Sequence, residues 1–381
     1  MKHPVLWATS ALIAAVAVSA TLVGGGAVAR QERGEPGVSL ARDVVAAASA
    51  FETYTRGAGT ISAAFADGGG VADALAKGSA YRPEQLDAGM IAYGAIAALQ
   101  EPAFIDGVRQ AARDTPPEVL VARLLDDPES VIDIDGVAAA ASRAQAALLK
   151  RGAPLDATGR AVKQAAYDIQ RQDWSRGPIT DGAGRLARIK AMSAAFFNPA
   201  DEDAGRLIQA ATAPREDAGR AFGSGGEGGA AFTPVTVRAA ALAALALLGA
   251  ADDEHVGGLD NIMREEKSTS CMKMAKLNLY QCLAVAGPQY EDVFCLGQHA
   301  LSDTAQCVND AAGAPRAPLA SPIPAAAPRR APGFLIPVGG GQTMAAVSPV
   351  PEEPSGLADY RPGSTYSEVL QKPLEPAERR W

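Results

Sequence analysis

The chain has 381 residues, of which 48% are hydrophobic and only 5% aromatic. This length suffices for one large domain or two ordinary ones, but alanine dominates the apolar share, so the core must be built from closely packed helices with small side chains. The formal net charge is −8, and no cluster of Lys and Arg is interleaved with aromatic residues. These features exclude nucleic-acid binding.

Residues 1–29 have the pattern of an export signal. Lys2 supplies a positive charge, Val5 to Val23 form an apolar stretch, and Ala27-Val28-Ala29 is a small-residue cleavage box. We therefore expect cleavage after Ala29 and a periplasmic or secreted protein. The apolar stretch of about 19 residues is also long enough to span a bilayer. An uncleaved signal is thus the alternative, and the only case in which we expect membrane attachment.

Residues 38–213 are predicted to form an α-helical domain. Leu86, Met90, Tyr93 and Ile96 recur at three- and four-residue spacing, which places them on one helical face. No stretch shows sustained apolar and polar alternation, so the sequence predicts an all-α fold. Proline and glycine punctuation divides the domain into eight predicted helices, at residues 40–54, 83–99, 102–113, 116–125, 137–150, 157–174, 184–197 and 204–211.

A loose D-x-x-G-R pattern occurs four times in and after this domain. The spacings between the copies are irregular, which argues against a solenoid repeat. We interpret each aspartate as a residue near a helix N-cap, followed by a small residue and a surface arginine. The four aspartates are Asp156, Asp181, Asp203 and Asp217.

The rest of the chain divides into three predicted parts. Residues 214–233 are Gly-rich, which is typical of a flexible linker. Residues 234–310 contain an apolar helix, 235–248, and all four cysteines. Residues 311–381 hold half of the chain's 26 prolines, so we expect a disordered tail. The end of this tail gathers hydrophobic anchors, including Tyr360 and Trp381, which favours either a recognition peptide or a simple spacer.

Geometry selects one pairing of the four cysteines. Cys271 and Cys282 are 11 positions apart, roughly 16 Å along one helix, which is too far for a disulfide. Crossed pairs cannot share one antiparallel register. The nested pairs, Cys271 with Cys307 and Cys282 with Cys295, are both centred beside Gly287-Pro288, a turn signal. The sequence therefore predicts an antiparallel helical hairpin held by two disulfides.

One spacing departs from ideal helix geometry. The 12 positions between Cys295 and Cys307 overshoot a common face by roughly 120°, and we expect Gly297 or fraying near Cys307 to absorb the difference. The arrangement resembles the helical hairpins with twin C-x9-C motifs of the mitochondrial intermembrane space, and the resemblance implies shared architecture but no function. A four-cysteine zinc site is disfavoured because it needs closely spaced thiolate pairs and a reducing environment.

His299 and Asp303 are the catalytic candidates in the chain. On a helix they would share a stripe with Cys295, close to Asp292, as a Cys/His/Asp relay or a metal-binding face would require. However, a cysteine in a disulfide is neither a nucleophile nor a ligand. We therefore favour a structural role for this stripe and expect no cofactor and no metal.

Three further acidic features have ordinary explanations. His255 follows Asp252-Asp253-Glu254 in a segment that we interpret as a solvated turn rather than a metal site. Residues 133–136 have part of the pattern of a calcium loop but lack its first and closing ligands, so a turn or helix cap is preferred. Carboxylates that could serve glycoside hydrolysis are available but not informative, namely Glu52, Glu84, Glu101 and Glu118.

These features favour an exported, non-enzymatic helical scaffold or protein-binding module of the cell envelope, with an envelope protein or a cell-wall component as partner. Two alternatives stay open. One is a periplasmic hydrolase, cell-wall directed or otherwise, with an unrecognised carboxylate or histidine site; the other is a helical protein that binds a small molecule or a metal. The sequence does not determine the oligomeric state.

Overall fold

The computed structural model describes residues 38–212 and 232–314, and within these ranges the chain forms fourteen α-helices and no β-strand. The predicted all-α class is confirmed. The predicted signal at 1–29, most of the predicted linker and most of the predicted tail lie outside the described residues. The helices are α1 (Arg42–Ala58), α2 (Gly68–Ser79), α3 (Pro83–Ala98), α4 (Pro102–Asp114), α5 (Pro117–Asp126), α6 (Val137–Asp168), α7 (Asp173–Arg176), α8 (Gly182–Ala194), α9 (Asp201–Thr212), α10 (Pro234–Leu247), α11 (Val256–Ile262), α12 (Glu266–Val285), α13 (Gln289–Cys295) and α14 (Asp303–Ala311).

Helix α6 corrects the prediction of two shorter helices at 137–150 and 157–174. It runs for 32 residues and carries Pro154 in its interior, where the missing N–H and the ring normally break a helix. Leu148, Leu155 and Val162 are fully buried and continue one apolar face across the proline. Packing of that face therefore outweighs the local preference of the sequence.

Helix α2 was missed because its first three residues are glycines, which are typical of breaks between helices. Asp67 caps it by accepting a hydrogen bond from the Gly70 amide at 2.8 Å, which compensates in part for the poor helix propensity of glycine. Val71 and Leu75 then bury the helix against the core. The cap and the buried face therefore stabilise a helix that the propensity of its first three residues disfavours.

The core is centred on α3 and α10, which are apolar around most of their circumference. Twelve of the 16 residues of α3 and eleven of the 14 residues of α10 are buried, as expected for helices that are surrounded by others. Small residues let the backbones approach closely, and a Cβ placed on Gly89 would come within 2.6 Å of the Ala47 carbonyl oxygen. Helices before and after residues 213–231 thus contribute to one core.

No single helix within residues 38–212 and 232–314 has both the length and the hydropathy needed to cross a membrane. Helices α3 and α4 together reach that length and composition, but they meet at a 90° bend.

The two predicted disulfides are both present. Cys271 bonds to Cys307 and Cys282 to Cys295, each with a Cα–Cα distance of 5.7 Å. They link α12 to a continuous segment made of α13, a π-helix at Leu296–Ser302, and α14. The predicted disulfide-bonded hairpin is therefore confirmed.

The π-helix accounts for the spacing of Cys295 and Cys307. Because a π-helix closes its hydrogen bonds over one more residue than an α-helix, it takes up the extra position and returns Cys307 to the hairpin seam. Gly297 lies in this segment, where a Cβ would come within 2.8 Å of the Lys163 Cα on α6. Gly297 is one of the two places where the prediction put the irregularity, the other being the end near Cys307. The missing side chain of Gly297 also lets α6 pack closely.

A buried carboxylate ties the start of α12 to the core. Asp87 on α3 accepts hydrogen bonds from the Glu265 amide at 2.7 Å and from the Thr269 hydroxyl at 2.8 Å, and it also contacts the Ser268 hydroxyl. Burial raises the pKa of Asp87, although these hydrogen bonds oppose the rise. The contacts fix the hairpin against α3.

Candidate functional site

His299 and Asp303 form a hydrogen-bonded pair on the π-helix and the first turn of α14. The His299 Nδ1 lies 2.8 Å from Asp303 Oδ2, and Gln298 donates to the other carboxylate oxygen at 2.8 Å. Burial acts to raise the pKa of Asp303, but the hydrogen bonds from His299 and Gln298 outweigh it, so the pKa is lowered. This carboxylate therefore accepts and holds hydrogen bonds in its ionised form.

The other two members of the predicted stripe have partners of their own. Cys295 is oxidised to the disulfide with Cys282. Asp292 turns to Arg185, whose Nη1 lies 2.7 Å from each of its carboxylate oxygens. The sequence thus correctly placed His299 beside Asp303, but neither a thiolate nor a second free carboxylate joins them.

The residues around the His299–Asp303 pair connect it to α6. Lys163 on α6 donates to Gln298 at 2.7 Å and lies over the Phe294 ring, which also meets the His299 ring edge to face. These contacts link α6 to the π-helix. The pair and its neighbours therefore hold the irregular helix in place.

The other acidic segments considered in the sequence form separate turns and helix starts. His255 Nδ1 lies 2.7 Å from Asp252 in a partly exposed turn. Asp133 pairs with Arg123, and Gly136 takes a left-handed conformation, with φ of 79°, at the start of α6. No group of three or more His, Cys, Asp or Glu side chains in residues 38–212 and 232–314 is arranged to hold a metal ion.

The D-x-x-G-R aspartates divide into three cases among the described residues. Asp181 is the N-cap of α8 and accepts from the Gly184 amide, as predicted. Asp156 lies inside α6 and pairs with Arg160, so its predicted cap is wrong. Asp203 is in the first turn of α9, but its carboxylate is held by Arg56 at 2.7 and 2.8 Å. Asp217 lies outside the described residues.

The four glutamates considered for hydrolysis each have a different environment. Glu52 is buried on α1 and is neutralised by Arg151 and Arg206. The other three lie on different elements: Glu84 pairs with Lys273 at 2.9 Å, Glu101 pairs with Arg143 at 3.3 Å, and Glu118 is exposed on α5.

Lys276 is a buried basic residue that the sequence analysis did not single out. It is 5% exposed, donates to Ser193 Oγ at 2.9 Å and to the Ser79 carbonyl, and lies 3.7 Å from the Tyr81 ring centroid. Burial lowers its pKa well below the ordinary value. These partners join α12 to α2 and α8, so its contacts are structural.

An apolar groove opens between α9 and the start of α1, here called the N-terminal groove. Its volume is about 480 Å³. Arg42 carries the only charge among its described lining residues, and Arg42 Nε is 2.8 Å from Asp253. The lining residues are Val38, Ser39, Leu40, Arg42, Val45, Ala46, Pro199, Ala204, Ile208 and Ala211.

The sequence carried a partial signal for the groove. Apolar residues precede the first charged turn of α1, and Ala204, Ile208 and Ala211 share one face of α9 at three- and four-residue spacing. Ile208 on that face is 50% exposed at the groove.

Comparisons with protein-family models, curated proteins and solved structures find no match to this chain.

Proposed function

We propose that this protein is an exported, non-enzymatic helical module that binds a partner protein of the cell envelope. The observation that carries the proposal is the N-terminal groove, an open apolar channel on the surface of a helical body with a continuous core. Exposed apolar surface of this kind is typical of protein-binding sites. The partner segment that fits best is one amphipathic helix.

The dimensions and charge of the groove support that partner. A volume of about 480 Å³ accommodates several large apolar side chains from one helical face, which is how amphipathic helices dock in grooves. Arg42 is 89% exposed at the rim and is already in contact with one carboxylate, that of Asp253. A second carboxylate flanking the partner's apolar face would extend this ion pair.

Export is the second part of the proposal. The two disulfides are compatible with an oxidising, extracellular compartment. The charged start, apolar stretch and A-x-A box of residues 1–29 support delivery there. N-terminal sequencing of the native protein should begin after Ala29, and a cytoplasmic protein that begins at Met1 would contradict export.

Photocrosslinking in the native envelope tests the binding role. A photoreactive residue at position 208 should yield a defined protein adduct, and the yield of that adduct should fall when Arg42→Gln is introduced in the same chain. The control position is Val119 on α5, which is also exposed but lies outside the groove. Adducts of equal pattern at 208 and 119, or none at 208, would contradict the proposal.

The volume of the N-terminal groove also favours one alternative, since small-molecule pockets commonly occupy about 300–1,000 Å³. In that case a hydrophobic small molecule rather than a helix fills the groove. Native mass spectrometry of protein purified from its host distinguishes the two. If a bound molecule is found and Ile208→Lys removes it, the groove binds a small ligand rather than a partner protein.

A further inference from the structure

The disulfide between Cys271 and Cys307, here called the outer disulfide, borders an open cavity. The cavity lies between the starts of α10 and α12 and the end of α14, has a volume of about 330 Å³, and is lined by both cysteines. Thiol–disulfide exchange requires a thiolate to reach one of the two sulfur atoms. A cavity beside the outer disulfide therefore gives a reductant a route to it.

The two cysteines of the outer disulfide differ in exposure. Cys307 is 2% exposed, whereas Cys271, on the second turn of α12, is partly exposed. An incoming thiolate therefore meets Cys271 first. Lys267 is exposed one turn before Cys271 on the same helix face, and it lines the cavity together with the carboxylates of Glu265 and Asp310. Its positive charge offsets these carboxylates and favours the approach of a thiolate.

The disulfide between Cys282 and Cys295, here called the inner disulfide, has non-covalent contacts beside it that join the same two helices. Arg185 donates to the Leu283 carbonyl and to Asp292, and so bridges the hairpin next to this pair. Backbone hydrogen bonds of 2.8 and 3.3 Å also fix the hairpin turn to the loop before α8. If a thiol opens the inner disulfide, these contacts keep the two sulfur atoms close and favour its re-closure.

The outer disulfide holds the end of α14. The Thr233 hydroxyl, at the N-cap of α10, donates to the Ala311 carbonyl at 2.6 Å, and Val308 is fully buried. After cleavage of the outer disulfide these contacts remain, and the inner disulfide still joins the other end of the hairpin. Reduction therefore loosens the last turns of α14 without opening the whole hairpin.

We propose that the outer disulfide is a redox-sensitive site, which an external dithiol reduces while the protein stays folded. The dithiol is a small molecule or the Cys-x-x-Cys motif of a redox protein. The site is independent of the N-terminal groove, which lies on α1 and α9.

The reduction takes two exchange steps. A thiolate of the dithiol attacks Cys271 Sγ, forms a mixed disulfide and releases Cys307 as a thiolate, which takes a proton from water. The second thiol of the dithiol then loses its proton and attacks the mixed disulfide, so that Cys271 is released as a thiolate and is protonated in turn. Two electrons pass from the dithiol to the protein, and the dithiol leaves as its own disulfide.

Timed reduction of the full, folded chain with dithiothreitol, followed by alkylation and peptide mass spectrometry, tests the proposal. The outer disulfide should react at least about tenfold faster than the inner one, and amide exchange should rise in α14 but not in α13. The inner disulfide is a fair control, because Cys282 is also partly exposed. Equal rates would show that reduction follows global unfolding or exposure alone, and these equal rates or a faster inner disulfide would overturn the proposal.

The substitution Lys267→Glu tests the cavity as the route of attack. It places a negative charge one turn from Cys271, so the outer disulfide should react about threefold more slowly or less. Lys273→Glu is the matched control, because Lys273 is 56% exposed on the same helix and does not line the cavity. Equal slowing in the two variants, or no slowing in Lys267→Glu, would overturn the proposal.

A redox protein whose Cys-x-x-Cys motif has lost its second cysteine identifies the source of the dithiol. A mixed disulfide trapped at Cys271 would assign that source to a protein, whereas reaction with dithiothreitol alone would assign it to a small molecule. A mixed disulfide trapped at Cys307, or at either cysteine of the inner disulfide, would overturn the proposal.

Discussion

Removal of the two disulfides one at a time gives the sharpest test of how the hairpin is stabilised. The outer pair, Cys271 and Cys307, closes a separation of 36 residues, and the inner pair, Cys282 and Cys295, closes one of 13. In the loop-entropy model these separations correspond to about 4 kcal/mol and about 3 kcal/mol of the free energy of unfolding. The outer pair should therefore matter more.

The comparison is balanced, because each pair joins one buried and one partly buried cysteine. Replacement of both members by alanine thus removes similar packing in the two double variants. Equilibrium unfolding in urea should give the larger loss for the outer pair, with faster amide exchange in α14. If the inner pair costs more, or neither variant is destabilised, the loop-entropy explanation of the hairpin's stability is wrong.

Four further substitutions test the packing and the buried charges. Gly159→Ala should destabilise the protein by about 1–3 kcal/mol in the same urea assay, because a Cβ there would lie 2.7 Å from the Ser302 amide nitrogen. Gly205→Ala is the matched control: a Cβ there has no atom within 4 Å, so the substitution should stabilise α9 by up to about 1 kcal/mol. Lys276→Met should raise the free energy of unfolding at pH 7 by about 1–2 kcal/mol, since it removes a buried cation whose pKa is lowered by burial, and a clear loss in calorimetry would show that the cation is needed. Burial raises the pKa of Asp292 to about 6, although Arg185 opposes the rise. The contribution of Asp292 to stability is therefore complete below its unfolded pKa of 3.8 and is lost as the pH rises through about 6. The wild type should lose stability relative to Asp292→Asn between these two pH values, and parallel pH profiles of the two proteins would contradict this.

The cysteine pairing was predictable because disulfide geometry is strict. Helical rise excludes the sequential pairing, antiparallel register excludes the crossed one, and the turn at Gly287-Pro288 fits the nested one. Even the irregularity near Gly297 could be expected from the 12-residue spacing. Its form, a π-helix packed against α6, could not, because it depends on contacts with residues far away in sequence.

Helix continuity and the open sites were harder to predict for a related reason. Pro154 and the glycines at the start of α2 carry strong local signals, and tertiary packing overrides both. The buried contacts of Arg185 cannot be inferred from sequence, since its partners, Asp292 and the Leu283 carbonyl, come from residues about a hundred positions away. Likewise, the exposure of Ile208 depends on how α9 meets α1.

The proposed binding role is tested most directly by an affinity measurement on the N-terminal groove. The partner segment crosslinked at position 208, prepared as a peptide, should bind the purified protein and should bind Ile208→Lys at least about tenfold more weakly, because the substitution places a charge in the apolar contact. Val119→Lys should bind it as the wild type does. Equal affinity for Ile208→Lys and the wild type would contradict the groove as the site of binding.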